Sequence, residues 1–456
     1  MESTDKNNQQ LDNNSSQVQA IKTSEFMKET IKQRPLNKRK LARKLIVTVS
    51  LAVLFGFIAC FTFLFLEPII DKRLNPPEET EIQNITFVEE SIEEEVRPED
   101  MIAEEAELQG VTIEQIPLAD EQIEQVLNEF QLGVDDYISL SEVVTNMAKD
   151  VSYSLVSVVG ISQDKDWFDN EYNNEDVVSG VIVADNGRDL LILTNLSRFK
   201  DVDSLEVSFF DGSSYKAEQM TSDSVSGLGI VAVNKATLKR YTVENASIIQ
   251  MGATLNGNLN GTPIVALGRP FDIENSIGIG YVTSCTSTVN LPDADYKLLT
   301  TDIGGSKDGS GILVNIKGQL LGIIDMTKAP SGVDNFVCGL AISELKRMIE
   351  KMSNGITIPY LGIYGMDVTQ DISENIGVPI GVYIKKLNMD SPLLDAGIQS
   401  GDIITEISGV SVTNFQDISN VRLTLAVDED VKITVMRQGP DGYTPMEYKV
   451  YISDQN

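Results

Sequence analysis

SGVIVADNGRDLLILTN (residues 179–195) decides the fold: two short runs of β-branched and aliphatic residues are separated by Asp, Asn and Gly, the residues that punctuate strands. The same texture surrounds it. YSLVSVVGIS precedes it, and SLEVSFF, GIVAV, PIVALG, GIGYVTS, GILVNIKGQLLGII and FVCGLAIS follow. Strands so closely and evenly spaced, with no long helices between them, predict an all-β barrel or sandwich of about 200 residues. SEVVTNMAKDV (141–151) and ISELKRMIEKM (342–352) read as the helices that open and close this unit, which spans residues 141–355. The remaining segment, 357–453, mixes short strands with helical stretches near SPLLDAGI and DISNVRLTL, a length that suits one small domain.

Composition narrows the chemistry. The 456 residues, 42% of them hydrophobic, are enough for about three domains with real cores. Acidic residues outnumber basic ones by 68 to 36, and a net charge of −32 repels phosphate backbones, so nucleic acid is excluded as a partner. The chain has no histidine, which removes the commonest general base, the commonest zinc ligand and the usual pH switch together. Cys60, Cys285 and Cys338 lack the spacing of a zinc ribbon or a redox motif, and neither metal nor cofactor is expected. A disulfide between Cys285 and Cys338 stays open, because spacing alone does not test its geometry.

Residues 45–66, LIVTVSLAVLFGFIACFTFLFL, form an uncharged run whose helical length of about 33 Å matches a bilayer core, so a transmembrane helix is expected there. KRKLARK (Lys38 to Lys44) precedes it, and the positive-inside rule then leaves residues 1–44 as a disordered cytoplasmic tail and everything after the helix outside the cell membrane. Residues 67–140 read as an acidic linker. Between Pro76 and Asp136 there are twenty Asp or Glu against one basic residue, Arg97, which makes the segment self-repelling and extended, with 113–133 as a candidate short amphipathic helix.

The order and spacing of these segments resemble the HtrA/DegP family, in which a membrane-anchored, trypsin-like double β-barrel is followed by an α/β PDZ domain. The resemblance covers residues 141 to 452. In that family the strand ending in LTN leads directly to the catalytic histidine; here LILTN runs on to Leu196 and Ser197, which puts Ser197 in the histidine slot. The slot of the catalytic aspartate, in SGLGIVAV, holds Gly227. GTPIVALGRPFDIENSIGIGYVTS (261–284) follows the family pattern well. In TTDIGGSKDGSGILVNIKGQLLGII (300–324), the trailing strands place Gly309 in the nucleophile slot with Ser310 one residue late, or Ser310 in the slot after a one-residue contraction. A serine hydroxyl needs a base to take its proton and a second group to orient that base. With both gone, the resemblance implies a pseudo-protease. A Ser–Lys pair through Lys307 or Lys200 is the alternative source of a base.

YLGIYGMDV (360–368), SPLLDAGIQSGDIITEISG (391–409) and VRLTL…VKITVMR (421–437) resemble the HtrA-type PDZ module. The resemblance implies that the backbone N–H groups of Tyr360, Leu361, Gly362 and Ile363 receive a peptide's terminal carboxylate, and that the following strand extends the peptide by β-augmentation. Ile363 and a helix face bearing Ile418, Val421, Leu423 or Leu425 would line the side-chain pocket. Relatives often carry a basic residue just before the loop; here the nearest upstream lysine is Lys351. The expected function is capture of peptide C-termini or misfolded envelope proteins without triad-based proteolysis. Two alternatives remain: an active endopeptidase with a non-standard Ser310 site, and an inactive regulatory subunit of an HtrA-type oligomer, either a homotrimer or mixed with active relatives.

Overall fold

The computed structural model describes residues 46–58, 62, 82–88, 133–165, 171–199, 202–255 and 258–452. They divide into two units, one before Thr80 and one from Thr80 onward. In the first, residues 46–58 are helical with their apolar side chains exposed. Among the described residues no helix is long and apolar enough to cross a membrane. The remainder of the predicted span 45–66, apart from residue 62, lies outside them, as do the cytoplasmic tail 1–44 and all of the candidate helix 113–133 but its last residue.

The second unit begins with an extended segment, 82–88. Asn354 holds it from both sides, accepting from the Ile85 N–H at 2.8 Å and donating to the Ile85 carbonyl at 2.8 Å. Ile85 and Phe87 pack on the hydrophobic core, so this part of the predicted linker lies against the folded domain. Helix α1 (Val134–Ser152) starts earlier than its apolar pattern suggests. The Asp136 carboxylate accepts the Gly133 N–H at 2.7 Å, and Asp135 and Asp136 place negative charge on the first turn, where the helix dipole favours it.

Two closed six-stranded antiparallel barrels follow. The first contains β1 (Leu155–Lys165), β2 (Glu171–Asp185), β3 (Asp189–Asn195), β4 (Ser204–Ser208), β5 (Ser214–Ser222) and β6 (Leu228–Asn234), in the order β1-β2-β3-β6-β5-β4. The second contains β7 (Pro263–Arg269), β8 (Ser276–Leu291), β9 (Ala294–Gly304), β10 (Ser310–Val314), β11 (Leu320–Asp325) and β12 (Phe336–Ala341), in the order β10-β11-β12-β9-β8-β7. DLLILTN forms β3 residue for residue, and all seven of its residues are buried. Leu190 and Ile192 fill the first barrel, while Leu191 and Leu193 join the core shared with the second. Burial on both faces is why this run is continuously apolar instead of alternating. Helix α2 (Ile342–Ser353) lays Ile342, Leu345, Ile349 and Met352 on the same shared core, at helical spacing.

The C-terminal sheet contains β13 (Ile363–Val368), β14 (Gly381–Leu387), β15 (Ile403–Ile407), β16 (Val410–Ser411), β17 (Asp430–Gly439) and β18 (Gly442–Tyr451), ordered β13-β14-β15-β17-β18 with β16 paired to β15. Helix α3 (Phe415–Arg422) covers it, and the sheet has a hydrophobic core of its own.

Cys285 and Cys338 are both free thiols. Cys338 on β12 pairs with Thr300 on β9, and Thr300 pairs with Ser284 on β8, so a full strand lies between the two cysteines. Two strand spacings, about 9.6 Å, exceed the reach of a disulfide.

Gly311 has φ +137°, and a Cβ there would run into the Leu267 carbonyl. Gly311→Ala is therefore expected to destabilise the barrels by about 3 kcal/mol in urea denaturation of residues 75–456, whereas a change below about 0.5 kcal/mol would contradict the close approach of β10 to β7.

Candidate functional site

Ser197, Gly227, Gly309 and Ser310, the residues expected in the degenerate triad slots, lie near the contact between the two barrels. Asn195, the last residue of β3, caps the helical turn Leu196–Arg198 through its side chain. Ser197 donates its hydroxyl to Asn195 Oδ1 at 2.6 Å, and its N–H reaches the Gly227 carbonyl at 3.2 Å. Gly227 has φ +81°, and a Cβ added to it would lie 2.6 Å from Ser197 Oγ. The fold thus brings Ser197 and Gly227 into contact, and a side chain at 227 would not fit as the turn stands. Asn195 Nδ2 donates to the buried Asp325 carboxylate at 3.2 Å, whose other oxygen accepts from the Thr327 N–H and hydroxyl.

The loop expected to carry the nucleophile lies next door. Arg198 donates to the carbonyl and carboxylate of Asp308, both at 3.3 Å. Gly309 closes a turn onto the Ser306 carbonyl at 2.9 Å, and a Cβ there would lie 2.5 Å from the Pro270 carbonyl. Ser310 is already inside β10, paired across to Arg269 and Asp325. Its hydroxyl is buried against β2, accepting the Ser179 N–H at 3.1 Å and lying 3.4 Å from Ser179 Oγ. Among the described residues no lysine or carboxylate hydrogen-bonds to Ser310 or to Ser179. Lys307 is exposed, and Lys200 lies outside the described residues. Burial, with the Asp325 charge beside it, pushes the neighbouring Cys338 thiol up to about 12, so it stays protonated at neutral pH.

The PDZ loop is built with more polar detail. Gly362 has φ +75°, and a Cβ there would meet Ser391 at 2.9 Å, so this position requires glycine. Ser391 donates to the Leu361 carbonyl at 2.6 Å, and the Asn388 N–H to the Gly362 carbonyl at 2.9 Å. The Tyr360 hydroxyl bridges Asn388 and Asp390; burial, with Asp390 adding to it, pushes that hydroxyl up to about 12. The loop's own donors converge on one group. The N–H groups of Leu361, Gly362 and Ile363 donate to the carboxylate of Asp293, at 2.8, 3.0 and 2.8 Å. Tyr360, expected as a fourth contributor, braces the loop through its hydroxyl instead.

Asp293 belongs to the two-residue tip of the β8–β9 hairpin, where Leu291 pairs with Ala294, and it is wholly buried. Arg422, the last residue of α3, faces it at 3.7 Å and also reaches Asp223 Oδ1 at 3.3 Å. Asp223 in turn braces the turn that carries Gly227: its other carboxylate oxygen accepts the Ser226 N–H at 2.8 Å and its carbonyl the Gly227 N–H at 2.9 Å. Burial lifts the Asp293 carboxyl above its ordinary value, against the pull of Arg422 and the three amides. Burial also opposes the Arg422 charge, but Asp223, Tyr296 and Asp293 together hold its pKa above the ordinary value.

Of the pocket residues expected on α3 and beyond it, Ile418 and Val421 pack in the PDZ core with Leu425 at its margin, as does Ile363. Leu423 instead joins the core shared by the barrels. Arg422 supplies the cation that the sequence lacks just before the loop. Its readable signal was its spacing: it lies four residues after Ile418, on the core face of the helix, where a charge needs a buried partner.

A PDZ-domain family profile matches residues 359–443. The probable periplasmic serine endoprotease DegP-like of Rickettsia conorii is 26% identical over 280 residues, covering 59% of this chain and 53% of that protein. The serine protease Do-like HtrB of Bacillus subtilis is 24% identical over 281 residues, covering 57% and 59%. The two barrels of this chain, followed by a PDZ domain, resemble the HtrA/DegP proteins. The chain spans between half and three-fifths of the length of these two relatives. A substituted form of the HtrA-type protease AlgW, solved with a decapeptide, shares the fold at a TM-score of 0.50 and 18% identity, over 69% of this chain and 98% of that one.

Removing the Arg422 charge leaves two buried aspartates unneutralised. Arg422→Met is expected to cost about 3–5 kcal/mol in urea denaturation of residues 75–456, and adding Asp223→Asn and Asp293→Asn should restore more than half of it. Equal stability of the single variant and the wild type would contradict the ionic joint.

Proposed function

We propose that this chain is a membrane-anchored, HtrA-like pseudo-protease of envelope protein quality control, which captures peptide C-termini or misfolded proteins through its PDZ domain. One observation carries the loss of chemistry: the slot that should hold the general base holds Ser197, hydrogen-bonded to Asn195 at 2.6 Å, in a chain with no histidine at all. A serine hydroxyl does not take a proton from another alcohol near neutral pH, and Gly227 offers no carboxylate to orient a base. Among the described residues the Ser310 hydroxyl hydrogen-bonds only to the Ser179 amide and hydroxyl, neither of which is basic. Losing either base or orienter from a triad costs about 10⁴ or more in kcat, and these losses do not simply add.

Support for peptide capture comes from the loop Tyr360 to Ile363, whose three converging N–H groups already hold a carboxylate. The decapeptide bound by the similar AlgW protein is consistent with this use of the architecture. Residues 45–66, flanked by KRKLARK, are the proposed anchor, with the barrels and the PDZ domain on the extracytoplasmic side.

Residues 75–456 incubated with unfolded casein and a fluorophosphonate probe should show neither cleavage nor labelling above the level of a Ser310→Ala control. Cleavage that disappears in Ser310→Ala would make the chain an endopeptidase with an unorthodox base.

A further inference from the structure

We infer that Asp293 occupies, within the same chain, the place of a peptide's terminal carboxylate in the PDZ loop, so that a free C-terminus enters only by displacing the β8–β9 hairpin tip. This rests on the peptide-capture reading above and concerns how that site is controlled. Two independent contacts make the mimicry. The Asp293 side chain takes all three loop amides, and the Asp293 backbone N–H donates to the Ile363 carbonyl at 2.8 Å. That carbonyl opens β13, the strand to which an added peptide strand would pair. Asp293 therefore uses both the carboxylate-binding donors and the first ladder acceptor of the groove.

The hairpin is shaped to present it. Pro292 and Asp293 are the only residues between the paired Leu291 and Ala294, and Asp293 has φ +66°, a left-handed conformation that aspartate tolerates better than most residues. Asp293 has no exposed surface, so a second carboxylate cannot bind beside it. When a peptide carboxylate replaces it, the amides and Arg422 exchange one anion for another, and the exchange leaves none of the three loop amides unpaired. Asp293 itself then moves to solvent with the hairpin tip. Because the loop is accessible only in the fraction of molecules with the tip displaced, apparent affinity is reduced by that fraction.

Arg422 gives the exchange a second reader. It contacts Asp223 as well as Asp293, and Asp223 holds the turn of Gly227 over Ser197. Peptide binding in the PDZ loop and the geometry of the cleft between the barrels thus share one guanidinium.

The test compares the full-length wild type with Asp293→Asn and Asp293→Ala, the second variant serving if the Asn carbonyl still holds the amides. Fluorescein-labelled decapeptides ending in Val, Leu, Phe or Ala are used with a free C-terminal carboxylate and, in parallel, as C-terminal amides. Fluorescence anisotropy should show at least one free-acid peptide binding a variant tenfold or more tightly than the wild type, with the amides bound by neither; thermal melting confirms that the variants are folded. Equal affinity of wild type and both folded variants for the free-acid peptides would overturn the displacement and leave peptide capture standing. Binding of free-acid peptides by none of the folded forms would overturn peptide capture itself, and displacement with it.

Discussion

Arg422 lies wholly inside the protein, 3.3 Å from Asp223 and 3.7 Å from Asp293, and its Nε and Nη1 have no hydrogen-bond partner among the described residues. Three charges taken out of water together are costly, and their attraction offsets that cost only while all three stay in place. Each comes from a different part of the molecule: the first barrel, the hairpin of the second barrel, and the helix of the PDZ domain. The joint is therefore a weak source of stability and a strong source of specificity, since rotating the PDZ domain away would strand at least one buried charge. The polar order at the loop follows from it. Asp293 can be held by three amides because Arg422 lies behind it, and the loop amides can be buried because Asp293 satisfies them.

The cleft between the barrels shows the opposite balance. Among the described residues its polar groups bond to one another without any base: Ser197 to Asn195, Asn195 to Asp325, Asp325 to Thr327, and Ser310 to Ser179. Glycine at 227 lets the turn close down on Ser197. Such a site keeps the packing of the double barrel while spending its polar groups on one another. The polar groups that face a ligand-like carboxylate lie instead at the PDZ loop.

Much of this was legible along the chain. β3 was readable residue for residue, because burial on both faces makes DLLILTN uniformly apolar. α2 was readable from the spacing of Ile342, Leu345, Ile349 and Met352. β5 was not, because SYKAEQMTS is buried at only one position and carries little apolar pattern, and β9 was hidden by the Lys, Asp and Thr interspersed in ADYKLLTTDIG. The start of α1 at Val134 was obscured by acidic composition, since Asp135 and Asp136, the last carboxylates of the acidic stretch, lie in its first turn, where Asp136 accepts the Gly133 N–H. At the site, the glycine of the loop followed from a local motif. Asp293 did not, since it meets the loop from about 70 positions away and only the pairing of β8 with β9 brings it there. Periodicity reports which face of an element is inward; it does not report what that face meets.

The backbone amide proton shifts of Leu361, Gly362 and Ile363, compared between wild type and Asp293→Asn by heteronuclear NMR, test most directly whether a carboxylate from the second barrel fills the PDZ loop. Amides held by a carboxylate lie at low field, so all three should stand downfield in the wild type and move upfield together in the variant. Shifts that are the same in both proteins would contradict the occupation of the loop by Asp293.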